Sequence, residues 1–142
     1  MRSRWIWLPV AGLVLSTTAN ADALDWANGY WGVSPKDLTS EEYKDRNCED
    51  RPVSINIDRE NNIYWSQIGD DTPRSAAISD ITRTSFTLNY VNETRTMDDG
   101  RLHIWTIQFS NADSFYWIRE DWKSDDTARG TVMRYRCEIK IS

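Results

Sequence analysis

The side chains able to do chemistry are few, and their spacing argues against catalysis. His103 is the only histidine in the chain, and a general base needs an identifiable partner that orients it. None can be picked out here, so a packed or rim position is the expectation for it. No serine sits in a Gly-x-Ser-x-Gly turn. Zinc would need several His or Cys ligands, and no Asp-x-Asp-x-Asp-Gly run offers a calcium loop. The expectation is a protein that is no enzyme, with no catalytic residue, no metal site and no cofactor. Cys48 and Cys137 are the only cysteines. A redox pair is usually close in sequence, whereas two distant thiols in an exported chain most simply form one structural disulfide.

Charge is the more informative chemistry. Three polar segments each carry an acidic pair: Asp70-Asp71, Asp98-Asp99 and Asp125-Asp126. Asn92-Glu93-Thr94 is also a glycosylation sequon, relevant where the host modifies secreted chains. Residues 1–21 read as a signal peptide, with Arg2 and Arg4 ahead of an apolar run and Ala19-Asn20-Ala21 as the cleavage site. That run is shorter than the about 20 residues a membrane span needs. Cleavage would leave 22–142 as one domain with 15 basic against 22 acidic side chains, a net charge near −7. Such a charge repels nucleic acid and anionic membrane surfaces. The expected setting is periplasmic or secreted, and the expected state a monomer without stable membrane insertion.

The elements that must position these groups are strands. Eight strand-like runs fall at 25–33, 53–58, 63–68, 76–82, 85–91, 102–109, 115–120 and 131–139. The connection after the first is long and polar, and Thr39 or Ser40 ahead of Glu41-Glu42 predicts a short helix inside it. Every other connection suits a hairpin between neighbours. The expected fold is therefore all-β: an eight-stranded antiparallel up-and-down barrel, closed because closure removes exposed edges. Even-length turns around Asn61-Asn62 and Asn111-Ala112 set the faces. They place Val53, Ile55, Ile57, Tyr64 and Ile68 inside, and Trp105, Ile107 and Phe109 inside with Tyr116 and Ile118. Phe86, Leu88, Tyr90, His103, Met133 and Tyr135 are expected on the inner face as well.

Gly29 and Trp31 open the first strand, and Arg134 and Arg136 stand in the last. On these residues the chain resembles the small lipocalin-like (calycin) β-barrels. The resemblance implies that Trp31 sits at the closed base and that one of the two arginines packs across it as a cation–π plug. The chain stops after its eighth strand, without room for the helix that follows the barrel in typical lipocalins, and later lipocalin motifs are not recognisable.

In a meander the long loops, after strands 1, 3, 5 and 7, emerge together. Three of them carry the acidic pairs, so one mouth of the barrel should be wide and negative. Asp70, Asp71, Asp98, Asp99, Asp125 and Asp126 are the candidate binding residues. The leading expectation is an exported binding protein that takes a small amphipathic ligand, or a basic protein partner, at that mouth. The alternatives are a periplasmic inhibitor of a cationic hydrolase such as a lysozyme or protease, and a structural envelope-associated module. The Ser-Gly-x-x-Tyr signature of one lysozyme-inhibitor group is missing.

Overall fold

The computed structural model describes residues 22–34, 41–123 and 130–138. The expected leader, Asp125, Asp126, Thr39 and Ser40 lie outside the described residues. The chain forms α1 (Ala23–Ala27), β1 (Gly29–Val33), β2 (Val53–Asp58), β3 (Ile63–Ile68), β4 (Arg74–Ser79), β5 (Ser85–Tyr90), β6 (Trp105–Asn111), β7 (Ser114–Arg119) and β8 (Arg134–Arg136). A single 3₁₀ turn spans Glu120–Trp122. The strands pair antiparallel in sequence order and close through β1 and β8, with Trp31 opposite Arg136 and Val33 opposite Arg134. An eight-stranded antiparallel up-and-down barrel is compatible with the lipocalin-like architecture.

Eight strands leave a lumen that side chains can fill, and here aromatic rings fill its lower half. Trp31, Tyr64, Phe86, Phe115, Leu88 and Ile107 are fully buried. Trp31 meets Phe115 edge-on at 4.7 Å between centroids and Phe109 at 5.9 Å, the geometry that ring quadrupoles favour.

The base is sealed from outside the sheet by α1. Asp22 caps this helix by accepting from the Leu24 and Asp25 amides, and Asp25 returns the bond to the Asp22 amide, a reciprocal capping box. The helix is held by Asn28 Oδ1, which accepts from the Ile57 amide at 2.7 Å, and by ion pairs from Arg59 to Asp22 and Asp25. It buries Ala23, Leu24 and Ala27 against the core. The helix expected in the connection after β1 is not found in its described part: 41–45 form turns. The sequence signal that was available, Asp22-x-x-Asp25, lay ahead of the first strand.

Inner-face expectations are corrected in three places: at Tyr116 and Ile118, at Tyr135 and Met133, and at His103. A bulge between Phe109 and Asn111 shifts the β6–β7 register by one residue and exchanges the faces of β7. Phe115 and Trp117 pack against the core, while Tyr116 and Ile118 lie on the other face. In β8 the inner positions belong to Arg134 and Arg136, and Tyr135 is 45 % exposed. Met133 lies ahead of β8, outside the sheet ladder. Leu102 to Ile104 also fall outside β6: they fold back on the preceding loop, with Leu102 bridged to Thr96.

Candidate functional site

The two ends of the barrel differ in chemistry. At the base, Arg136 stacks over Trp31 at 4.3 Å from the ring centroid. Its guanidinium donates to the carbonyls of Asn28 at 2.8 Å and Ala112 at 2.7 Å and to that of Trp26, and pairs with Asp113 at 3.0 Å. Trp31 Nε1 donates to the Ala27 carbonyl at 3.0 Å. Gly29 makes this packing possible: its φ is +137°, and a Cβ there would stand 2.9 Å from Arg136 Nη1. Of the two late arginines it is Arg136 that covers Trp31.

One turn of the strand pleat higher, Arg134 does something else. It is only 5 % exposed and faces the lumen, opposite Val33 and Phe115 in the ladder. Its guanidinium lies over Trp117 at 5.3 Å and Tyr43 at 5.2 Å. No ion pair to Arg134 is formed among the described residues, and its buried Nε and Nη1 atoms have no hydrogen-bond partner there. Burial pulls the Arg134 pKa down and Arg46 adds repulsion, while Tyr43, Tyr64 and Glu42 favour the charge; an arginine nevertheless stays cationic.

Arg134 borders a cavity of about 280 Å³ that opens toward the β3–β4 loop, between Ile68, Thr72, Arg74, Tyr90 and Trp117. A second compartment of about 170 Å³ shares Arg74, Tyr90 and Trp117 and reaches Arg95 and Trp105. Arg74 stands over the Tyr90 ring at 5.1 Å. Desolvation raises the pKa of Tyr90 and raises that of Tyr64 well above the usual phenol value, so both hydroxyls are neutral at physiological pH. Tyr64 lies in the floor below, wholly buried, in edge contact with Tyr90 at 6.2 Å. The open end thus combines aromatic walls with inward-facing cations. Sequence reasoning assigned Arg134 only as a possible plug and did not single out Arg74.

Among the described residues the rim carries four of the six expected acids, and three of these are paired with arginines. Asp71 pairs with Arg51 at 2.7 Å, Asp98 with Arg119 at 3.2 Å, and Asp99 with Arg101 at 2.7 Å. Asp70 is exposed and has no ion-pair partner among the described residues. Arg119 is the main clamp of this rim. It binds both oxygens of Asp121, at 2.6 and 2.9 Å, and stacks over Trp122, which meets Trp105 edge-on. His103 belongs to the same rim loop, with Nε2 3.1 Å from the Thr96 carbonyl and its ring against Trp105. Among the described residues, no group of three His, Cys, Asp or Glu side chains converges as a metal site would require.

Two rim carboxylates are strongly perturbed. Arg95 holds Glu93 at about 2 through a bidentate pair, and Arg119 holds Asp121 at about 2. A carboxylate depressed on folding stabilises the native state above its ordinary pKa near 4, and that contribution is lost as pH falls toward the folded value. The amides of Arg95 and Asp98 donate to these two carboxylates. Their hydrogen exchange should therefore accelerate, relative to the strand amides of β2 and β3, as pH falls from about 4 to about 2. Parallel behaviour of rim and strands would contradict the clamp.

Cys48 and Cys137 form a disulfide across 89 residues, with Cα atoms 5.5 Å apart. It fastens the connection after β1 to the end of β8, where the Cys137 amide donates to the Tyr30 carbonyl at 2.7 Å. Gly32 is its backing: a Cβ there would meet both the Cys48 nitrogen and its Sγ at 2.9 Å. The disulfide fits an oxidising compartment, and among the described residues no helix is long and apolar enough to cross a membrane.

On the outer face of β1, β2 and β3 a shallow depression of about 430 Å³ runs between Tyr30 and Trp65. It is larger than either open-end cavity, but its wall is a strand surface and, among the described residues, no buried side chain with an unpartnered polar atom borders it. The cations that border a cavity beside aromatic rings, Arg74 and Arg134, lie at the open end. The chain matches no known protein family, no curated protein and no solved structure, so this open end is read from its own residues.

Proposed function

We propose that the protein is an exported, non-enzymatic binding protein of lipocalin-like kind that holds a small amphipathic ligand in the open half of its barrel. The observation that carries this reading is the asymmetry of the lumen. Rings pack the base solid, while the upper half keeps a cavity of about 280 Å³ walled by Tyr90 and Trp117. Ligand sites are typically concave and mostly apolar with a few placed polar groups, and run from about 300 Å³ upward, so the ligand is small. A basic protein captured at a negative mouth is less well supported, because Arg51, Arg101 and Arg119 neutralise Asp71, Asp99 and Asp98.

Ser66 shares the inner face with Tyr64 and borders the cavity. Ser66→Phe should fill the space that the ligand needs. Calorimetric titration with the neutral amphiphile phenylbutyramide should show one site in the parent and at least a tenfold loss of affinity in the variant. Equal affinity in both would overturn the reading, as would a parent that binds neither this amide nor the carboxylate and amine with the same body.

A further inference from the structure

We infer that Arg134 is the anchor for an anionic headgroup, and that the ligand of the open half is a small carboxylate whose apolar body lies along Trp117 and Tyr90. The inference rests on the amphiphile reading above and adds the charge that the ligand must carry.

The argument begins with an imbalance. A guanidinium 5 % exposed is costly to desolvate unless charge and hydrogen bonds compensate it. Among the described residues Arg134 receives two ring faces, Trp117 and Tyr43, and a through-space attraction from Glu42 that makes no ion pair with it, while its Nε and Nη1 remain without acceptors. They lie on different edges of the planar guanidinium, and each can donate a charge-assisted bond to a carboxylate oxygen. No acid of the cavity wall is placed to accept such bonds. Asp71 borders the cavity but is committed to Arg51 at 2.7 Å. Arg136, two residues on, shows the contrast: it also covers a tryptophan, yet its donors are occupied by three carbonyls and Asp113. Two arginines of one strand therefore share a face and differ in whether their donors are used.

The surroundings choose the sign and size of the guest. Arg74 borders the same cavity nearer the entrance and adds a second cation. An ammonium headgroup would meet both arginines and, among the described residues of the cavity wall, no unpaired carboxylate. The neutral phenol of Tyr90 adds a donor beside the aromatic wall. An anion with a body of one ring or a short chain matches a cavity of about 280 Å³.

The test is a headgroup series on the full exported chain by calorimetry, with phenylbutyrate, phenylbutyramide and phenylbutylamine, which share one body. Phenylbutyrate should bind at least tenfold more tightly than either of the others. Arg134→Met should remove that preference by weakening phenylbutyrate at least tenfold, with phenylbutyramide unchanged. The variant should melt no lower than the parent, since it removes an uncompensated buried charge. Should Arg134→Met fail to fold, the series on the parent alone still decides. Equal binding of carboxylate and amide, or preference for the amine, would overturn the headgroup assignment and leave the amphiphile reading standing. Absence of binding by all three would overturn both.

Discussion

Replacing Trp31 by Ala should cost about 3–5 kcal/mol, the range for truncating a large buried aromatic. Trp31 is wholly buried, braced by Phe109 and Phe115, and bonded to the Ala27 carbonyl. Its loss opens a void under α1 and strips Arg136 of the ring it covers at 4.3 Å. Trp31→Phe separates these effects: it keeps a ring in place and gives up the indole bond, so it should cost clearly less. Urea unfolding of the three chains measures both differences. A Trp31→Ala chain within about 1 kcal/mol of the parent, below what truncating a packed ring costs, would show that the base does not depend on this residue.

Removing the disulfide should cost about as much by a different route. A bridge across 89 residues restricts the unfolded chain, which corresponds to about 4–5 kcal/mol before strain. The cross-link also pins the connection after β1 against β8, a strand of three residues that closes the barrel. Cys48→Ser with Cys137→Ser should lower the melting temperature by roughly 15 °C or more. The loss should appear first in amide exchange of β1 and β8, because β8 is paired at only three positions to β1 and two to β7. A drop of only a few degrees, with uniform exchange, would mean that the ladder alone closes the barrel.

The strands were legible where polarity alternates. Val53 to Asp58 reads apolar–polar at period two, and its buried positions follow that pattern. The reading was lost where alternation is absent. Phe115-Tyr116-Trp117-Ile118 is apolar at every position, so its face depends on the turn, and the bulge at Phe109 and Asn111 changed the parity. In β8 polarity itself misleads: two arginines take the inner face and a tyrosine the outer one.

The acidic pairs show another limit. Asp98-Asp99 and Asp70-Asp71 read as clustered charge, because the sequence does not reveal which arginine folds back on them. Arg51, just ahead of β2, reaches Asp71, just past the end of β3, and Arg119 reaches Asp98 from the end of β7. The same blindness hid the site. Nothing local distinguishes Arg134 from Arg136; only closure of the barrel gives one of them acceptors and leaves the other facing a cavity.

The tryptophans supply a direct test of where a ligand sits. Trp26 and Trp31 report the base, Trp65 the outer face, and Trp105, Trp117 and Trp122 the open end. Their indole N–H resonances, followed by NMR during titration with phenylbutyrate, divide the molecule into three regions. Ligand in the upper lumen should shift Trp117 and Trp105 while Trp26, Trp31 and Trp65 stay in place. Shifts confined to Trp65 or to the base pair, or no shift at any indole, would contradict a binding site in the open half of the barrel.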